Sequence, residues 1–320
     1  MKKSHRKSHV KSKNKKKYDG RQNNNTLQMY NDLILCEQNN SMFPNFLKYF
    51  SKNDDSYSKN QQISSGTFNN IYKIDKNIIR VCDNENTIKH KDTNVIGFLN
   101  CSKDAILTNI IHKIFLVEIG NNSPFVKIDD FSYTVYYNDI YIPIFKMKFV
   151  QYTLQLYIYQ FKQRYDNSNN KNEILESFRE NMVNFVNDFL NVLLLLYNKF
   201  NFIHGDLSPT NIMCEFDEKT LKYKKFYIID LGLSRFEYKG NIFETLYSKG
   251  NTTYNKFKDI YMFFSFAFCT NNMFYDIITE IGIEKNINFE ALKKAKQKVV
   301  EKREMSAIHT IQFEEPIWFV

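Results

Sequence analysis

The octapeptide His204-Gly205-Asp206-Leu207-Ser208-Pro209-Thr210-Asn211 concentrates acidic, amide and turn-forming residues in one short stretch. An apolar helical pattern ends just before it, at Phe200, and Phe202-Ile203 can anchor the next segment in a core. This context predicts a polar loop fixed at the edge of a cleft. In such a loop Asp206 is free to accept a proton, and Asn211, five positions later, offers a neutral oxygen suited to Mg²⁺.

A second motif ends a short apolar run, Phe226-Tyr227-Ile228-Ile229-Asp230-Leu231-Gly232. The run is typical of a buried strand that delivers Asp230 at its end, and Gly232 lets the backbone turn sharply. A carboxylate in that position can hold a metal ion that bridges nucleotide phosphates. Each motif alone is also consistent with an ordinary structural loop. Because a hairpin of suitable length joins them, the pair predicts a site for phosphoryl transfer.

A third stretch, Ser64-Ser65-Gly66-Thr67-Phe68-Asn69-Asn70-Ile71-Tyr72-Lys73, lies near the start of the predicted folded body. Gly66 is its only glycine, so the stretch fits a plain β-hairpin as well as a loop that cradles phosphate. It precedes Ile78-Ile79-Arg80-Val81, a predicted strand from which Arg80 would project as a cation for the α- and β-phosphates. The order of the three motifs favours a nucleotide-binding cleft.

Together these motifs resemble the protein-kinase-like superfamily over about residues 63–268. The octapeptide resembles the catalytic loop of that superfamily, which implies that Asp206 is the catalytic base and Asn211 a catalytic residue and metal ligand. Asp230 resembles the metal-binding aspartate of the Asp-Phe-Gly motif. The resemblance implies ATP and Mg²⁺ as cofactors, with the nucleotide-binding part of the site formed by Ser64, Gly66, Phe68, Ile71, Arg80 and Asp104.

Finer features resemble small atypical kinases. The variant Gly205-Asp206-Leu207-Ser208 is closer to the RIO family and to the kinase subunit of the KEOPS tRNA-modification complex. The short segment from Asp230 to Lys258-Asp259-Ile260-Tyr261 is similar to theirs too, and the resemblance implies that Asp259 braces the catalytic loop. Similar reduced kinases occur in large DNA viruses, which suits the heavy use of Asn, Lys, Ile, Phe and Tyr. These features favour a Ser/Thr protein kinase that acts on a protein hydroxyl.

Several residues depart from the pattern of typical protein kinases. Arg80 stands where a phosphate-binding lysine is expected, as it can in choline-kinase-like and aminoglycoside-kinase-like enzymes, and this leaves a small-molecule acceptor open. Asp104 and Glu118 are both candidates for the acidic partner of Arg80. The glycine-poor loop around Gly66 leaves a third reading open, a pseudokinase that binds nucleotide as a scaffold. Retention of the acid and amide motifs argues against it, since a scaffold has no chemical need for all of them.

The order of predicted elements indicates an α+β, two-lobed protein-kinase-like fold. Periodicity predicts short helices within residues 26–50, strands at 67–74, 78–81, 131–137 and 140–151, and helices at 103–120 and 154–165. A long helix ending at Phe200, a hairpin over 212–230, and helices at 259–269 and 289–305 follow. The predicted divisions are a disordered polybasic arm (1–25), a helical extension and linker (26–60), a β-rich N-lobe (61–151) and a shortened, mainly helical C-lobe (152–320).

The net charge of +9 is concentrated at one end of the chain. Residues 1–17 hold nine lysines and arginines and no acidic residue, so the remainder is nearly neutral. Such an arm could bind nucleic acid or another polyanion, or it could act only as a solubilising tail. From the kinase resemblance we expect a protein substrate as a partner, with a polyanion as a candidate second partner through this arm, while the oligomeric state stays open.

Cysteine usage and hydropathy indicate the environment of the protein. The five cysteines are scattered and never form a Cys-x-x-Cys pair, which argues against a disulfide framework or a zinc site. This usage predicts a reducing, intracellular compartment, either cytoplasm or nucleus, with a virion as a further option. The apolar stretches fall short of the ~20 residues that a membrane span needs.

Overall fold

The computed structural model describes residues 20–52, 62–65, 70–74, 76–82, 93–120, 122–136, 140–244, 258–270 and 272–288. Most of the predicted basic arm, the loop around Gly66 and the helix predicted at 289–305 lie outside these ranges. Among the described residues, no helix combines the length and apolar character needed to cross a bilayer.

The helices predicted within residues 26–50 are present. They are α1 (Gly20–Gln38) and α2 (Phe43–Leu47), joined by a 3₁₀ turn (Asn40–Met42). Buried side chains recur along α1 at helical spacing, namely Met29, Tyr30, Leu33 and Cys36. Residues 20–25, assigned from the sequence to the disordered arm, are helical instead. Their polar sequence carries no apolar repeat, so periodicity could not reveal this first turn of the helix.

A six-stranded sheet forms most of the first lobe. Its strands are β1 (Ser51–Lys52), β2 (Gln62–Ser65), β3 (Asn70–Ile74), β4 (Asn77–Val81), β5 (Ile128–Tyr136) and β6 (Ile140–Lys148). Their spatial order is β1-β5-β6-β4-β3-β2, with β1 parallel to β5 and every other pair antiparallel. The predicted linker over residues 51–60 thus begins with a strand. Two polar, exposed residues give no alternating pattern from which β1 could have been predicted.

Helix α3 (Thr93–Glu118) packs against this sheet and against α1. The sequence predicted its start at residue 103, ten residues too late. Residues 102–111 are all buried, because α1 covers one side of the helix and the sheet another. A helix buried on several sides has no clean polar face, and this weakens the periodic signal on which the prediction rested.

The second lobe is mainly helical, as predicted. Its helices are α4 (Leu154–Asn167), α5 (Lys171–Phe200), α6 (Lys258–Cys269) and α7 (Met273–Glu284). Thr153 caps α4 by accepting a hydrogen bond from the Leu156 backbone N–H at 3.2 Å. Fully buried phenylalanines of α5, such as Phe185 and Phe189, anchor the core, and burial of each contributes about 1.5–3 kcal/mol.

Two small sheets complete the second lobe. One contains β7 (Tyr152–Thr153), β8 (Ile212–Phe216) and β9 (Tyr223–Ile228), and the other is a hairpin of β10 (Arg235–Tyr238) and β11 (Asn241–Glu244). The β8–β9 hairpin was predicted, and the β10–β11 hairpin was not. A β-rich first lobe followed by a mainly helical second lobe is the predicted α+β, protein-kinase-like arrangement.

Candidate active site

The loop after α5 is held from beneath by a buried carboxylate. Asp259, in the first turn of α6, is 1% exposed and accepts two backbone hydrogen bonds. The N–H of His204 donates to Oδ2 at 2.7 Å, and the N–H of Gly205 donates to Oδ1 at 2.9 Å. Burial raises the pKa of Asp259, while the two backbone donors lower it in part. The contact is the brace that the kinase resemblance implied.

His204 joins the two motifs that carry the acidic residues. The ring is fully buried, with Nε2 2.8 Å from the Ile229 carbonyl oxygen and Nδ1 3.2 Å from the Asp206 backbone N–H. Since a carbonyl oxygen can only accept, Nε2 must carry the hydrogen, and Nδ1 must then accept from Asp206. The imidazole is therefore a neutral strut between the octapeptide and the end of β9.

Gly205 occupies a position that other residues cannot adopt without strain. Its φ is +85°, and a Cβ placed there would lie 2.6 Å from the Leu233 carbonyl oxygen. A rigid backbone atom at that distance cannot give way easily. The close approach of the two loops at this point therefore depends on glycine.

Asp206 and Asn211 lie together at the surface of the loop. The Asn211 side-chain Nδ2 donates to the Asp206 carbonyl oxygen at 2.8 Å and to its carboxylate Oδ2 at 3.2 Å. Both of these partners are acceptors, so the amide nitrogen faces Asp206 and the amide oxygen faces away from it. Asp206 is exposed, which leaves its carboxylate accessible to an incoming hydroxyl.

Asp230 lies beside Asn211 at one end of the β8–β9 hairpin. The Ile229 N–H donates to the Asn211 carbonyl oxygen at 3.0 Å, which places Asp230 one residue beyond that bond. Asp230 adopts a left-handed conformation with φ 62° and ψ 68°, uncommon for residues other than glycine. The surrounding protein and the negative charge of Asp104 raise the pKa of Asp230, although its carboxylate still reaches solvent and Arg80 opposes the shift.

The donor set of Asn211 and Asp230 fits Mg²⁺. Magnesium is usually held by one or two protein oxygens and completes its shell with water and phosphate. One carboxylate and one amide oxygen at adjacent strand ends meet that requirement. In the part of the chain that the structure describes, there is no cluster of three or more His, Cys, Asp or Glu side chains that could form an all-protein cage.

Arg80 and Asp104 form a partly buried ion pair across the first lobe, in which the Asp104 side chain is the more buried of the two. Asp104 also accepts a hydrogen bond at Oδ1 from the Leu231 N–H, at 2.6 Å, and so ties α3 to the Asp230-Leu231-Gly232 turn. Burial alone would lower the pKa of Arg80, but the negative charge of Asp104 outweighs this effect. The pKa of Arg80 is therefore raised above the ordinary value for arginine. Among the described residues, Arg80 Nε is buried without a hydrogen-bond partner, and a phosphate oxygen would satisfy this donor. Glu118, the other candidate partner, instead accepts from the Tyr238 hydroxyl at 2.5 Å.

Strand pairing aligns the remaining predicted nucleotide-binding residues. Ile71 is paired with Arg80 across β3 and β4, and Ser64 is paired with Ile71 across β2 and β3. Directly opposed residues of antiparallel strands share a face of the sheet, so Ile71 lies on the face that carries Arg80. Gly66 and Phe68 lie outside the described residues.

Sequence reasoning missed an apolar cluster between the lobes. Buried Val126, Val150 and Tyr227 form its centre, and the partly exposed Met147, Met213 and Ile229 pack against them. The alternating pattern of β8 could have revealed Met213, which flanks the buried Cys214. Most members of the cluster are far apart in sequence. Because periodicity describes only neighbouring residues, it could not show that they pack together.

Comparison with known proteins gives one family match. Residues 117–238 match the model of the Ecdysteroid kinase-like family, which is less than half of the chain. That segment includes the octapeptide and Asp230 but not Arg80 or Asp104. Among curated proteins, none matches this sequence.

A distant likeness to a solved structure was also found. The structure described as WaaP in complex with acyl carrier protein has a TM-score of 0.37 and 11% sequence identity, and the alignment covers 76% of this chain and 88% of that chain. A similarity this weak carries no argument. The matching family model describes neither the RIO family nor the KEOPS kinase, and it gives no indication of a viral origin. These three statements stay predictions. The family match supports a kinase-type phosphotransferase in general.

Proposed function

We propose that the protein is an ATP-dependent phosphotransferase that transfers the γ-phosphate to a hydroxyl group of a small molecule. The observation that carries the proposal is the placement of Asp206, Asn211 and Asp230 at one end of the β8–β9 hairpin, joined through Leu231 to the Arg80–Asp104 pair. Phosphoryl transfer needs positioned phosphates, charge neutralisation and a group that orients the nucleophile. The residues at this site can meet each of these three requirements.

The roles follow from chemistry and position. Arg80 stays charged, and its Nε–H, which has no partner within the described part of the chain, can be offered to a phosphate oxygen. Asp230 and Asn211 would hold Mg²⁺, which when bound neutralises charge on the phosphates. Asp206 accepts the proton of the acceptor hydroxyl, and the amide nitrogen of Asn211 holds that carboxylate in place.

The apolar cluster between the lobes suits the base of the nucleotide. Met147, Met213 and Ile229 are only partly buried, so they present apolar surface at the junction of the lobes. A planar aromatic ring placed there would cover this surface and gain the free energy of its burial. The phosphates of a nucleotide bound in this way would point towards Arg80 and Asp230.

A small-molecule acceptor is favoured over a protein hydroxyl. The matching family is described as ecdysteroid kinase-like, and its match spans the catalytic loop and the metal-binding motif. In the sequence, Arg80 is the feature that left this acceptor class open. Transfer to a serine or threonine of a protein is the second candidate, because the octapeptide also resembles the catalytic loop of protein kinases.

The test is transfer of radiolabelled γ-phosphate from Mg·ATP to two acceptor panels. One panel contains polyhydroxylated steroids, amino sugars and choline, and the other contains acidic and basic proteins. We expect a labelled small molecule with wild-type protein and almost none with Asp206→Asn. Label on proteins alone would select the second candidate. Tight Mg·ATP binding without transfer to either panel or to water would indicate a pseudokinase and refute the proposal.

A further inference from the structure

Helix α1 runs antiparallel to α3 and is fixed to it near both ends. Near the end of α1, Glu37 accepts two hydrogen bonds from Lys103 Nζ, at 2.8 and 3.0 Å. Near its beginning, Thr26 accepts a hydrogen bond from Lys113 Nζ at 2.5 Å. Between these points the apolar face of α1 packs into the same core as α3. The two helices therefore form one unit.

The same helix contacts the hairpin that follows the Asp230-Leu231-Gly232 turn. The Tyr30 hydroxyl donates to the Glu244 carbonyl oxygen at 3.1 Å and accepts from the Glu244 N–H at 3.0 Å. Its ring packs against Phe243 of β11 at 5.1 Å between centroids. Helix α1 thus joins α3 to the segment that continues from the metal-binding motif.

Glu37 acts on the residue next to the ion pair. Lys103 and Asp104 are consecutive on α3, so their side chains leave the helix about 100° apart. One points to Glu37 on α1, and the other points to Arg80 and the Leu231 N–H. Fixing Lys103 therefore fixes the rotation of α3 about its axis, and with it the direction of Asp104.

The burial of this contact argues that it specifies geometry. The Lys103 side chain is 3% exposed and that of Glu37 is 11% exposed. A buried ion pair adds little net stability over an apolar pair of the same size, because both charges lose their hydration. Such a pair can instead favour one arrangement of the two helices, since a rotation of α3 would separate Lys103 from Glu37.

We propose that Glu37 is a positioning residue for phosphoryl transfer, which acts through Lys103 to hold Asp104 against Arg80 and Leu231. The proposal rests on the function proposed above. It predicts that neutralising Glu37 reduces turnover while the fold is kept, because the chemical groups remain and only their alignment is lost.

The experiment compares Glu37→Gln, the double variant Glu37→Gln/Lys103→Gln, and a matched control, Arg179→Gln. Arg179 forms ion pairs with Glu280 and Glu284 on the exposed side of the second lobe, far in sequence from α3. For Glu37→Gln we expect kcat to fall about 10- to 100-fold, with the KM for ATP changed much less. The double variant, which removes the charges of both Glu37 and Lys103, should recover part of kcat, and the control should keep wild-type values.

A readout without turnover separates this proposal from the proposed function. The Leu231 amide hydrogen is bound by Asp104, so its exchange with solvent reports the position of α3. In a leucine-labelled sample followed by NMR, Glu37→Gln should accelerate that exchange about tenfold. Faster exchange in a protein whose wild type transfers no phosphate would refute the proposed function, and with it a role of Glu37 in phosphoryl transfer, while supporting the placement of Asp104 by Glu37.

Two results would overturn the positioning role. The first is a folded Glu37→Gln variant with wild-type kcat and wild-type exchange at Leu231. The second is loss of folding in both the single and the double variant, which would show that the pair serves stability alone.

Discussion

Replacing Asp259 should destabilise the protein and slow its reaction together. In Asp259→Ala the backbone N–H groups of His204 and Gly205 lose their acceptors, which now lie at 2.7 and 2.9 Å. A buried donor left without a partner costs about 1–3 kcal/mol. The two donors therefore predict a loss of about 2–6 kcal/mol in the free energy of unfolding. That is a large part of the ~5–15 kcal/mol that stabilises a typical domain.

Asp259→Asn should lie between the wild type and the alanine variant. Its amide oxygen can still accept from one N–H, but the amide nitrogen would face the other donor. We expect roughly half of the alanine effect. Because the octapeptide rests on this contact, kcat should fall by about 10²-fold in Asp259→Ala at a temperature where the protein is folded.

The assays are urea unfolding and phosphate transfer on the same preparations. Asp217→Ala is the control, since Asp217 accepts hydrogen bonds from the Lys219 and Thr220 N–H groups at 3.1 and 3.0 Å in a surface turn. Water can replace that acceptor, so this variant should lose less stability and no activity. If Asp259→Ala unfolds at the wild-type urea concentration and turns over normally, the bracing role is wrong.

Four further predictions follow from the site. Asp206→Asn should keep its affinity for Mg·ATP, while kcat should fall about 10²–10⁴-fold. Kinetics on an acceptor that the wild type uses would measure both quantities. An unchanged kcat would contradict the role of Asp206 as the base. Asp230→Asn should remove Mg²⁺-dependent nucleotide binding, measured by calorimetry. Because the pKa of Asp230 is raised, its carboxylate should become protonated at a higher pH than an ordinary aspartate. Nucleotide binding by the wild type should therefore weaken as the pH falls through that range. A pH titration that shows no such loss would contradict metal binding by Asp230. Gly205→Ala should disrupt the octapeptide, because its Cβ would meet the Leu233 carbonyl; a variant with wild-type thermal unfolding and kcat would argue against this. Deleting residues 1–17 should weaken binding to heparin or DNA, with a smaller salt dependence, and should leave kcat on a small acceptor unchanged.

The parts of the site that are local in sequence could be predicted. The octapeptide, the β8–β9 hairpin and Asp230 lie within thirty residues, and turn chemistry and period-two alternation act over such distances. The boundaries of α4, α5 and α6 also agree closely with the predictions, because each of these helices has an apolar face and a clear stop.

The parts that depend on tertiary packing could not be predicted. Both Asp104 and Glu118 lie on α3, and only the packing of that helix shows which acid meets Arg80. The β10–β11 hairpin could not be predicted for a related reason. Phe243 packs against Tyr30 of α1, which lies about two hundred residues earlier, and Phe236 stacks on Phe243. Sequence patterns carry no information on that contact.

The burial of α3 bears on whether this helix can change its position. Residues 102–111 lie between α1 and the sheet with no exposed side, so moving this helix outward would uncover apolar surface and separate two ion pairs. The free energy needed for such a movement makes an inactive resting state with a displaced helix costly. Under the proposed function, this arrangement favours a site that is assembled as soon as the chain folds.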